Sequence, residues 1–361
     1  MKIIKVNLKE RSYNIIIGQN AISKFSILLK DLNLGNTAIV ITNNFIRKRF
    51  WPVLEKELKK TKLSYRIFLI PDSEKAKSFK ELVKLSEQIV KYGQDKKTFL
   101  IALGGGVIGD LTGFCASIYK RGVPYIQIPT TLLAQVDSSI GGKTAIDLGF
   151  AKNLIGSFYQ PKLVISDINF LKYLPEKEIK AGLSEIIKYA IIKDAELFNT
   201  LEKKQGEIFK RNPSYLEYIV SSSSKIKADI VTIDEKETKS KRLILNFGHT
   251  IGHAIEAMYD YRYSHGQAVA LGMIYETRLS YLLGLISKNI MERIEKLISL
   301  YNIAPKIKLS RIKKLLYILK FDKKFVGKKN RFVLPTQIGK TKIVENIPEK
   351  LIKQTLILLS S

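Results

Sequence analysis

The three histidines of this chain lie in one short segment. His249, His253 and His265 are the only histidines among 361 residues. His249 and His253 are four residues apart, so a helix would place both on one face. Imidazole nitrogens ligate zinc and other transition metals, and such a pair with a third histidine downstream suits a metal site. Histidines that are hydrogen-bonded within a helix are the alternative, but the confinement of all three to one segment favours a metal.

A carboxylate ligand for such a metal must come from elsewhere in the chain. Thr250 follows His249, where the zinc-protease motif HExxH has its glutamate. Glu185, in the segment AGLSEIIKYA, is a candidate, because its neighbours are otherwise apolar or cationic. Lys188 lies three residues further on and on the same helix face. From the pattern alone, an ordinary surface ion pair is the simpler interpretation of these two residues.

A glycine-rich turn follows a short apolar strand. Gly104, Gly106 and Gly109 fit the pattern G-x-G-x-x-G, and a helix is predicted to begin there. Glycines let the backbone approach a pyrophosphate, and a helix N-terminus supplies N–H groups and a positive dipole. A tight turn without a ligand explains the pattern equally well. The carboxylate expected about 20 residues on is missing, since residues 128–132 read IPTTL, so a dinucleotide would not bind in the standard way.

Length and composition limit the class of protein. A chain of 361 residues with 45% hydrophobic content suits two domains. No apolar run is long enough to span a membrane, and charges interrupt the apolar start of the chain, which argues against a signal peptide. A single cysteine, Cys115, excludes an intramolecular disulfide and a multi-cysteine zinc site. These features predict a soluble protein of a reducing compartment.

The formal net charge of +28 has two interpretations. A basic protein can be a nucleic-acid binder, or it can carry a lysine-rich surface. The lysines are scattered, and no basic repeat or aromatic RNA-binding motif is present. We therefore favour the lysine-rich surface, and a basic cleft would also suit an anionic substrate.

The two halves of the chain differ in their pattern. Strands alternate with helices up to about Leu174, which predicts an α/β fold with a parallel sheet. Helices are predicted from just after Asn44 to Lys60 and over residues 79–92, and the strands over IIKVNL, YNIII, 37–42, 65–70, 98–103, 125–128 and 163–165. A proline-started helix then follows Pro175, and helical patterns continue to about Leu300. Strand signals return only weakly, near 331–334.

Taken together, these segments resemble the 3-dehydroquinate synthase family of the sugar phosphate cyclases. The resemblance covers nearly the whole chain and is densest over residues 104–161, GGGVIGDLTGFCASIYKRG to NLIGSFYQP. The segments AGLSEIIKYAII, LNFGHTIGHAIE, SHGQAVALGM and FDKK follow in the family's order. One such segment would be only suggestive, whereas all of them in order are specific.

The resemblance implies a fold, a reaction and cofactors. Residues 1–174 would form an NAD-binding α/β domain with a parallel sheet, and 175–361 a mostly α-helical domain that binds metal and substrate. The enzyme, a lyase of the shikimate pathway, would convert 3-deoxy-D-arabino-heptulosonate 7-phosphate to 3-dehydroquinate and phosphate. NAD+ would be reduced and reoxidised within one turnover, with one divalent metal, Zn²⁺ or Co²⁺. A cytoplasmic homodimer is implied, with no nucleic-acid or membrane partner.

The resemblance also implies roles for single residues. The metal ligands would be Glu185, His249 and His265, which makes His253 a substrate contact. The NAD contacts would be Asp72, Ser73, Glu74, Lys75, Ala76, Lys77, Gly106, Val107, Ile108, Gly109, Asp110, Thr130, Thr131, Lys143, Lys152, Phe170, Leu171, Lys172 and Tyr173, with Asn43 or Asn44 near the adenosine. The contacts to substrate and phosphate would be Arg121, Asp137, Lys152, Asn153, Lys188, Lys227, Arg242, Asn246, His253 and Lys323 or Lys324. The lysines and arginines in this set suit a substrate that carries a carboxylate and a phosphate.

The chain departs from the family pattern at two places. Ser73 stands where the family usually has glycine in its first NAD loop. One extra residue between Lys227 and Arg242 makes Arg242, rather than Lys241, the match to the family's arginine. The rival functions are another sugar phosphate cyclase, such as a 2-deoxy-scyllo-inosose or 2-epi-5-epi-valiolone synthase, a metal-dependent polyol dehydrogenase and, from a different class, a basic nucleic-acid-binding protein.

Overall fold

The computed structural model describes residues 1–93, 97–149, 151–260, 262–307, 312–320 and 330–358. The chain divides into two compact units. The first comprises Met1–Pro175 and Arg211–Lys236, and the second Glu176–Lys210 and Glu237–Ser361. The predicted division at residue 174 lies one residue before the first crossing between the units, and it leaves the segment 211–236, which belongs to the first unit, in the second.

The strands and helices within the described residues have the following bounds. The strands are β1 (Lys2–Val6), β2 (Tyr13–Gly18), β3 (Thr37–Thr42), β4 (Ser64–Leu69), β5 (Thr98–Gly104), β6 (Tyr125–Pro129), β7 (Lys143–Leu148), β8 (Ala151–Phe158), β9 (Leu163–Asp167), β10 (Arg331–Gln337) and β11 (Lys340–Glu345). The helices are α1 (Phe25–Leu28), α2 (Asn44–Leu58), α3 (Phe79–Gly93), α4 (Gly106–Ile118), α5 (Glu176–Lys193), α6 (Ala195–Lys203), α7 (Gln205–Phe209), α8 (Pro213–Ile233), α9 (His249–Met258), α10 (His265–Leu282), α11 (Lys288–Leu300), α12 (Ile312–Lys320) and α13 (Glu349–Leu358).

The first unit is built on a seven-stranded sheet in the order β1-β2-β9-β6-β5-β3-β4. β1 pairs antiparallel with β2, and all the other neighbours are parallel. Every residue of β3, β5, β6 and β9 is buried, because strands covered by helices on both faces read as continuous apolar runs. The predicted α/β class with a parallel sheet is confirmed.

Two features of the first unit are absent from the sequence-based prediction. β7 and β8 form a separate antiparallel hairpin that packs against α4. α8 packs against β1 and β2, and the Asn7 backbone N–H donates to Thr232 Oγ1 on α8 at 3.2 Å. α8 therefore completes the first unit although it follows α5–α7 in the chain.

The second unit is mostly helical, as predicted, with one antiparallel hairpin formed by β10 and β11. A hydrophobic cluster fills the space between α9, α10, α12, α13 and β10. Ile255, Leu279, Leu315, Phe332 and Leu356 are among its buried members. No helix among the described residues is long and apolar enough to cross a membrane.

Candidate active site

Glu185, His249 and His265 converge in the second unit. Glu185 lies on α5 and is fully buried, whereas His249 and His265 are the first residues of α9 and α10. The Nε2 atoms of both histidines are 3.5 Å from the same carboxylate oxygen, Glu185 Oε1. Two imidazoles and one carboxylate, with one ligand atom each within 4.8 Å of the others, form a donor set suited to zinc or cobalt.

The interpretation of Glu185 and Lys188 as a surface ion pair is wrong. Glu185 is 0% exposed and Lys188 is 2% exposed, and the Lys188 ammonium contacts Glu185 Oε2. The two residues are one turn apart on α5, as the spacing predicted, but that face of the helix points into the unit. A buried carboxylate requires a positive partner, and here it has a lysine on one oxygen and two imidazoles near the other.

Three glycines set the spacing of α9 and α10. A Cβ at Gly272 would lie 1.8 Å from the Gly248 carbonyl oxygen and 2.8 Å from the Gly252 nitrogen. Gly248 itself has φ +79°, a conformation that residues with side chains rarely adopt. The backbones of the two helices therefore touch directly, and this contact brings the N-terminal histidine of each helix to one place.

A buried carboxylate from α10 holds the start of α9. Glu276 is 0% exposed and accepts hydrogen bonds from the backbone N–H of Gly248 at 2.6 Å and of Ile251 at 3.4 Å. A helix N-terminus has unpaired N–H groups and a positive dipole, so a carboxylate there is stabilising. This contact fixes the backbone from which His249 projects. Sequence reasoning did not single out Glu276.

The other predicted substrate residues of the second unit lie near this trio in the sequence or in space. The His253 ring is exposed, 5.3 Å from the His249 ring between centroids. Arg242 is buried and pairs with Glu237 at 3.3 Å, whereas Lys241 is exposed. The assignment of the substrate contact to Arg242 stays a prediction. Asn246 ends the short helical segment Lys241–Asn246, just before α9. Lys323 and Lys324 lie outside the described residues.

His265 has an unusual electrostatic environment. Its Nε2 faces Glu185, and its Nδ1 is 3.6 Å from Glu256 Oε1. Burial lowers the pKa of His265, but contacts with the two carboxylates outweigh burial and raise the pKa to about 10. The negative field that retains this proton would also attract a divalent cation, so a metal and a proton compete for the ring.

We expect Co²⁺ to bind the metal-free protein more tightly as the pH rises. At neutral pH the His265 ring is protonated, because its pKa lies above the solution pH, so a metal must displace that proton. Above pH about 7 an ordinary histidine has already lost its proton. A further increase in cobalt affinity of about tenfold per pH unit would therefore come from deprotonation of His265. Cobalt titrations at several pH values measure the slope. A flat dependence above neutrality would contradict the expectation.

The predicted NAD segments of the first unit follow the carboxyl ends of parallel strands. Asn43 and Asn44 follow β3, residues 72–77 follow β4, 106–110 follow β5, 130–131 follow β6 and 170–173 follow β9. The carboxyl ends of parallel strands share one edge of a sheet, and in open α/β sheets ligands bind there, where the strand order reverses. In this sheet the strand order reverses between β3 and β5, because β4 lies beside β3 on one side and β6 lies beside β5 on the other.

The glycine-rich turn has the geometry of a strand-to-helix junction. Gly104 ends β5, and Gly105 precedes the first residue of α4. A Cβ at Gly109 would lie 2.8 Å from Gln127 Oε1 on β6, so the glycine lets α4 pack closely on the sheet. A 13-residue helix with glycines at its start offers its N-terminal N–H groups to an anion, which fits a dinucleotide pyrophosphate.

Lys77, Asp110 and Asn153 form a polar cluster at this edge, in which Lys77 is buried, Asp110 is partly buried and Asn153 is exposed. The Lys77 ammonium is 2.7 Å from Asp110 Oδ2 and also donates to the Asn153 side chain. Burial alone would lower the pKa of Lys77, but the Asp110 carboxylate outweighs it and raises that pKa. The β7–β8 hairpin carries Asn153, so this unpredicted element brings a predicted substrate residue to two predicted NAD residues.

Asp137 and Lys227 form a second pair in the first unit. Lys227 on α8 donates to the Asp137 carboxylate at 2.6 Å and to the Asp137 carbonyl at 2.7 Å. Asp137 belongs to a π-helical turn, Ala134–Ser138, which the sequence did not indicate. Arg121 is exposed and precedes β6, at the amino-terminal edge of the parallel strands, so the structure does not bring it to the strand ends.

The remaining predicted NAD residues differ in exposure. Lys143 and Lys152 on the hairpin are exposed, whereas Phe170 and Leu171 are buried in the core, where their side chains fill space. Ser73, which replaces the family's usual glycine, has an extended backbone, and its Oγ accepts from Lys75 N–H. That conformation does not require glycine, so the replacement leaves the turn intact. Asn43 caps α2 and donates to Asp72 at 2.7 Å.

Comparison with known proteins gives the family. The profile of the 3-dehydroquinate synthase N-terminal region matches residues 67–181, and that of the C-terminal region matches residues 182–325. The chain belongs to the 3-dehydroquinate synthase family. It is an enzyme of this type, a lyase. A curated 3-dehydroquinate synthase from Dictyoglomus turgidum is 45% identical over 355 residues, 97% of this chain and 96% of its own length.

Solved structures with the same fold include two other cyclases. A 2-epi-5-epi-valiolone synthase from Streptomyces hygroscopicus subsp. jinggangensis, with NAD+ and Zn²⁺ bound, has a TM-score of 0.88 at 24% identity and 98% coverage of both chains. A 2-deoxy-scyllo-inosose synthase, complexed with carbaglucose-6-phosphate, NAD+ and Co²⁺, has a TM-score of 0.86 at 24% identity, covering 98% of this chain and 99% of its own. At this identity the likeness establishes the fold of this member of the 3-dehydroquinate synthase family.

Proposed function

We propose that this enzyme converts 3-deoxy-D-arabino-heptulosonate 7-phosphate to 3-dehydroquinate and phosphate, with NAD+ and one divalent metal as cofactors. The convergence of His249 Nε2 and His265 Nε2 on the buried Glu185 carboxylate is the observation that carries the proposal. Membership of the 3-dehydroquinate synthase family supports the substrate, and the two cyclases of the same fold have NAD+ with Zn²⁺ or Co²⁺ bound.

The two cofactors supply complementary chemistry. When bound, the metal supplies Lewis-acid polarisation of a substrate hydroxyl and NAD+ supplies a hydride acceptor that is regenerated. Glu185, His249 and His265 are the proposed metal ligands. The proposed NAD contacts are the segments after β3, β4, β5, β6 and β9, with the N-terminus of α4 at the pyrophosphate.

The chain's own side chains bind and neutralise the anionic substrate in this proposal. Lys188 and Arg242 are buried cations, each already held by a glutamate, and Lys227 is held by Asp137. Cations fixed in advance stabilise charge that develops during phosphate elimination without reorganising at that moment. Asn246 and the exposed His253 ring offer further hydrogen bonds to hydroxyl or carboxylate oxygens. Lys152 and Asn153 complete the proposed set. Arg121, which the family resemblance also implies, lies at the amino-terminal edge of the parallel strands.

The overall change eliminates phosphate and closes a carbocycle with no net oxidation, so NADH is not a product. A homodimer in the cytoplasm, acting on a small sugar-acid phosphate rather than on nucleic acid, is part of the proposal. These points rest on the family likeness. The boundary near residue 174 is also part of the proposal, with the segment 211–236, which contains α8, assigned to the first unit.

The test follows phosphate release and NADH absorbance together. We expect the purified protein, given the heptulosonate phosphate, NAD+ and zinc, to release phosphate without accumulating NADH. A chelator should stop the reaction, and added zinc should restore it. No phosphate release from metal-loaded protein would overturn the proposed substrate. Accumulation of NADH from a polyol would instead identify a dehydrogenase.

A further inference from the structure

The His265 ring lies between two carboxylates. Its Nε2 is 3.5 Å from Glu185 Oε1, and its Nδ1, on the opposite side of the ring, is 3.6 Å from Glu256 Oε1. Glu256 is buried and lies on α9, two turns after His249. The two nitrogens of this ring therefore face different carboxylates, of which Glu185 belongs to the proposed metal site and Glu256 does not.

Ligand chemistry assigns different roles to the two nitrogens. A neutral imidazole has one N–H donor and one nitrogen with a free electron pair. If Nε2 binds a metal beside Glu185, the remaining ring proton must be on Nδ1, where it faces Glu256. A carboxylate that accepts from the far nitrogen of a ligating histidine fixes both the tautomer and the orientation of the ring.

His249 makes the equivalent contact with the backbone. Its Nδ1 is 3.1 Å from the Phe247 carbonyl oxygen, and its Nε2 also faces Glu185 Oε1. In both histidines Nε2 therefore faces Glu185 Oε1, whereas Nδ1 faces a different acceptor in each ring. The acceptor for His249 is a peptide group that no substitution removes, whereas the acceptor for His265 is a side chain.

A second cation site is the competing interpretation of Glu256. His253, Glu256 and His265 also have ligand atoms within 4.8 Å of one another. His265 would then have to bind one cation through each nitrogen, which requires the loss of both ring protons. An N–H donor toward a buried carboxylate needs no such loss, so the arrangement favours a hydrogen bond over a second ion.

We propose that Glu256 is a positioning residue that orients His265 through Nδ1 and thereby raises the metal affinity of the site formed with Glu185 and His249. This inference rests on the proposed metal site. It concerns a residue that touches neither the metal nor the substrate in the proposal, and its effect is transmitted by one histidine ring.

The test is cobalt binding to metal-free protein, measured by the visible absorption of the bound ion. Glu256→Leu removes the acceptor, and we expect it to weaken cobalt binding by about 10–100-fold. Glu256→Gln keeps an oxygen that can accept from Nδ1 but loses the charge, so it should retain part of the affinity. Ile255→Val is the matched control. Ile255 is the neighbouring core residue on α9, and its replacement by valine loosens the packing without removing a polar partner.

The outcomes separate the two proposals. If wild-type protein gives no cobalt spectrum, the metal site itself fails. If wild type binds cobalt and both Glu256 variants bind it equally well, the positioning role is overturned. It is also overturned if Ile255→Val weakens binding as much as Glu256→Leu at a similar loss of melting temperature. Weaker binding in Glu256→Leu, partial recovery in Glu256→Gln and unchanged affinity in Ile255→Val would establish the role.

Discussion

His249→Ala is expected to lower the rate of phosphate release about a thousandfold and to remove the bound metal. The histidine provides one of three proposed ligands, and Lewis-acid stabilisation by a metal is worth several kcal/mol in a transition state, which corresponds to about three factors of ten in rate. The substitution leaves the buried Glu185–Lys188 pair in place. The fold should therefore persist, which distinguishes lost chemistry from lost structure.

Zinc content and phosphate release, measured on the same preparation, test this expectation. Glu176→Ala is the control, because Glu176 is an exposed carboxylate at the start of α5 whose ion pair with Lys180 contributes little to stability. That variant should keep both metal and activity. His249→Ala protein with full zinc content and normal turnover would exclude His249 as a ligand.

Gly272→Ala is expected to cost about 3 kcal/mol or more of unfolding free energy and to disrupt the metal site. The added methyl group would lie 1.8 Å from the Gly248 carbonyl oxygen, which is backbone and cannot rotate away. α9 and α10 must then separate, and His249 and His265 separate with them. Thermal unfolding and cobalt binding should therefore change together.

A second glycine provides the matched control. Gly206 lies in helix α7 of the same unit, and a Cβ there would meet nothing within 4 Å. Gly206→Ala should leave stability unchanged or raise it, since alanine is the better helix former by about 1 kcal/mol. If Gly272→Ala unfolds at the wild-type temperature, the two helices are not held by the direct contact of their backbones.

Much of the fold could be predicted because its strands and helices have strong local signals. β3 and β5 are continuous apolar runs, and the structure places them in the middle of a parallel sheet. The hairpin β7–β8 was missed because its residues carry glycine, lysine and aspartate among a few alternating apolar positions. Its pairing, and its packing on α4, depend on contacts that no local pattern records.

The metal-site candidates were more predictable than their surroundings. Histidines are rare in this chain, so their clustering stood out, whereas glutamates are common. Glu185, Glu256 and Glu276 look like surface residues in the sequence, and only the folded unit reveals that all three are buried. Glu256, seven residues after His249, and Gly272, seven residues after His265, are visible in the sequence as candidates for a role near the histidines. Neither could be interpreted without knowing which helices meet.

The assignment of α8 to the first unit has a consequence for how the chain is made. The polypeptide passes from one unit to the other three times, after residues 175, 210 and 236. A ribosome that has finished the seven-stranded sheet has not yet supplied α8, which covers β1 and β2 and provides Lys227 to Asp137. The first unit can be completed only after part of the second has been synthesised. A gene cut at residue 174 would therefore yield two incomplete fragments, and complementation of the halves would require their co-expression.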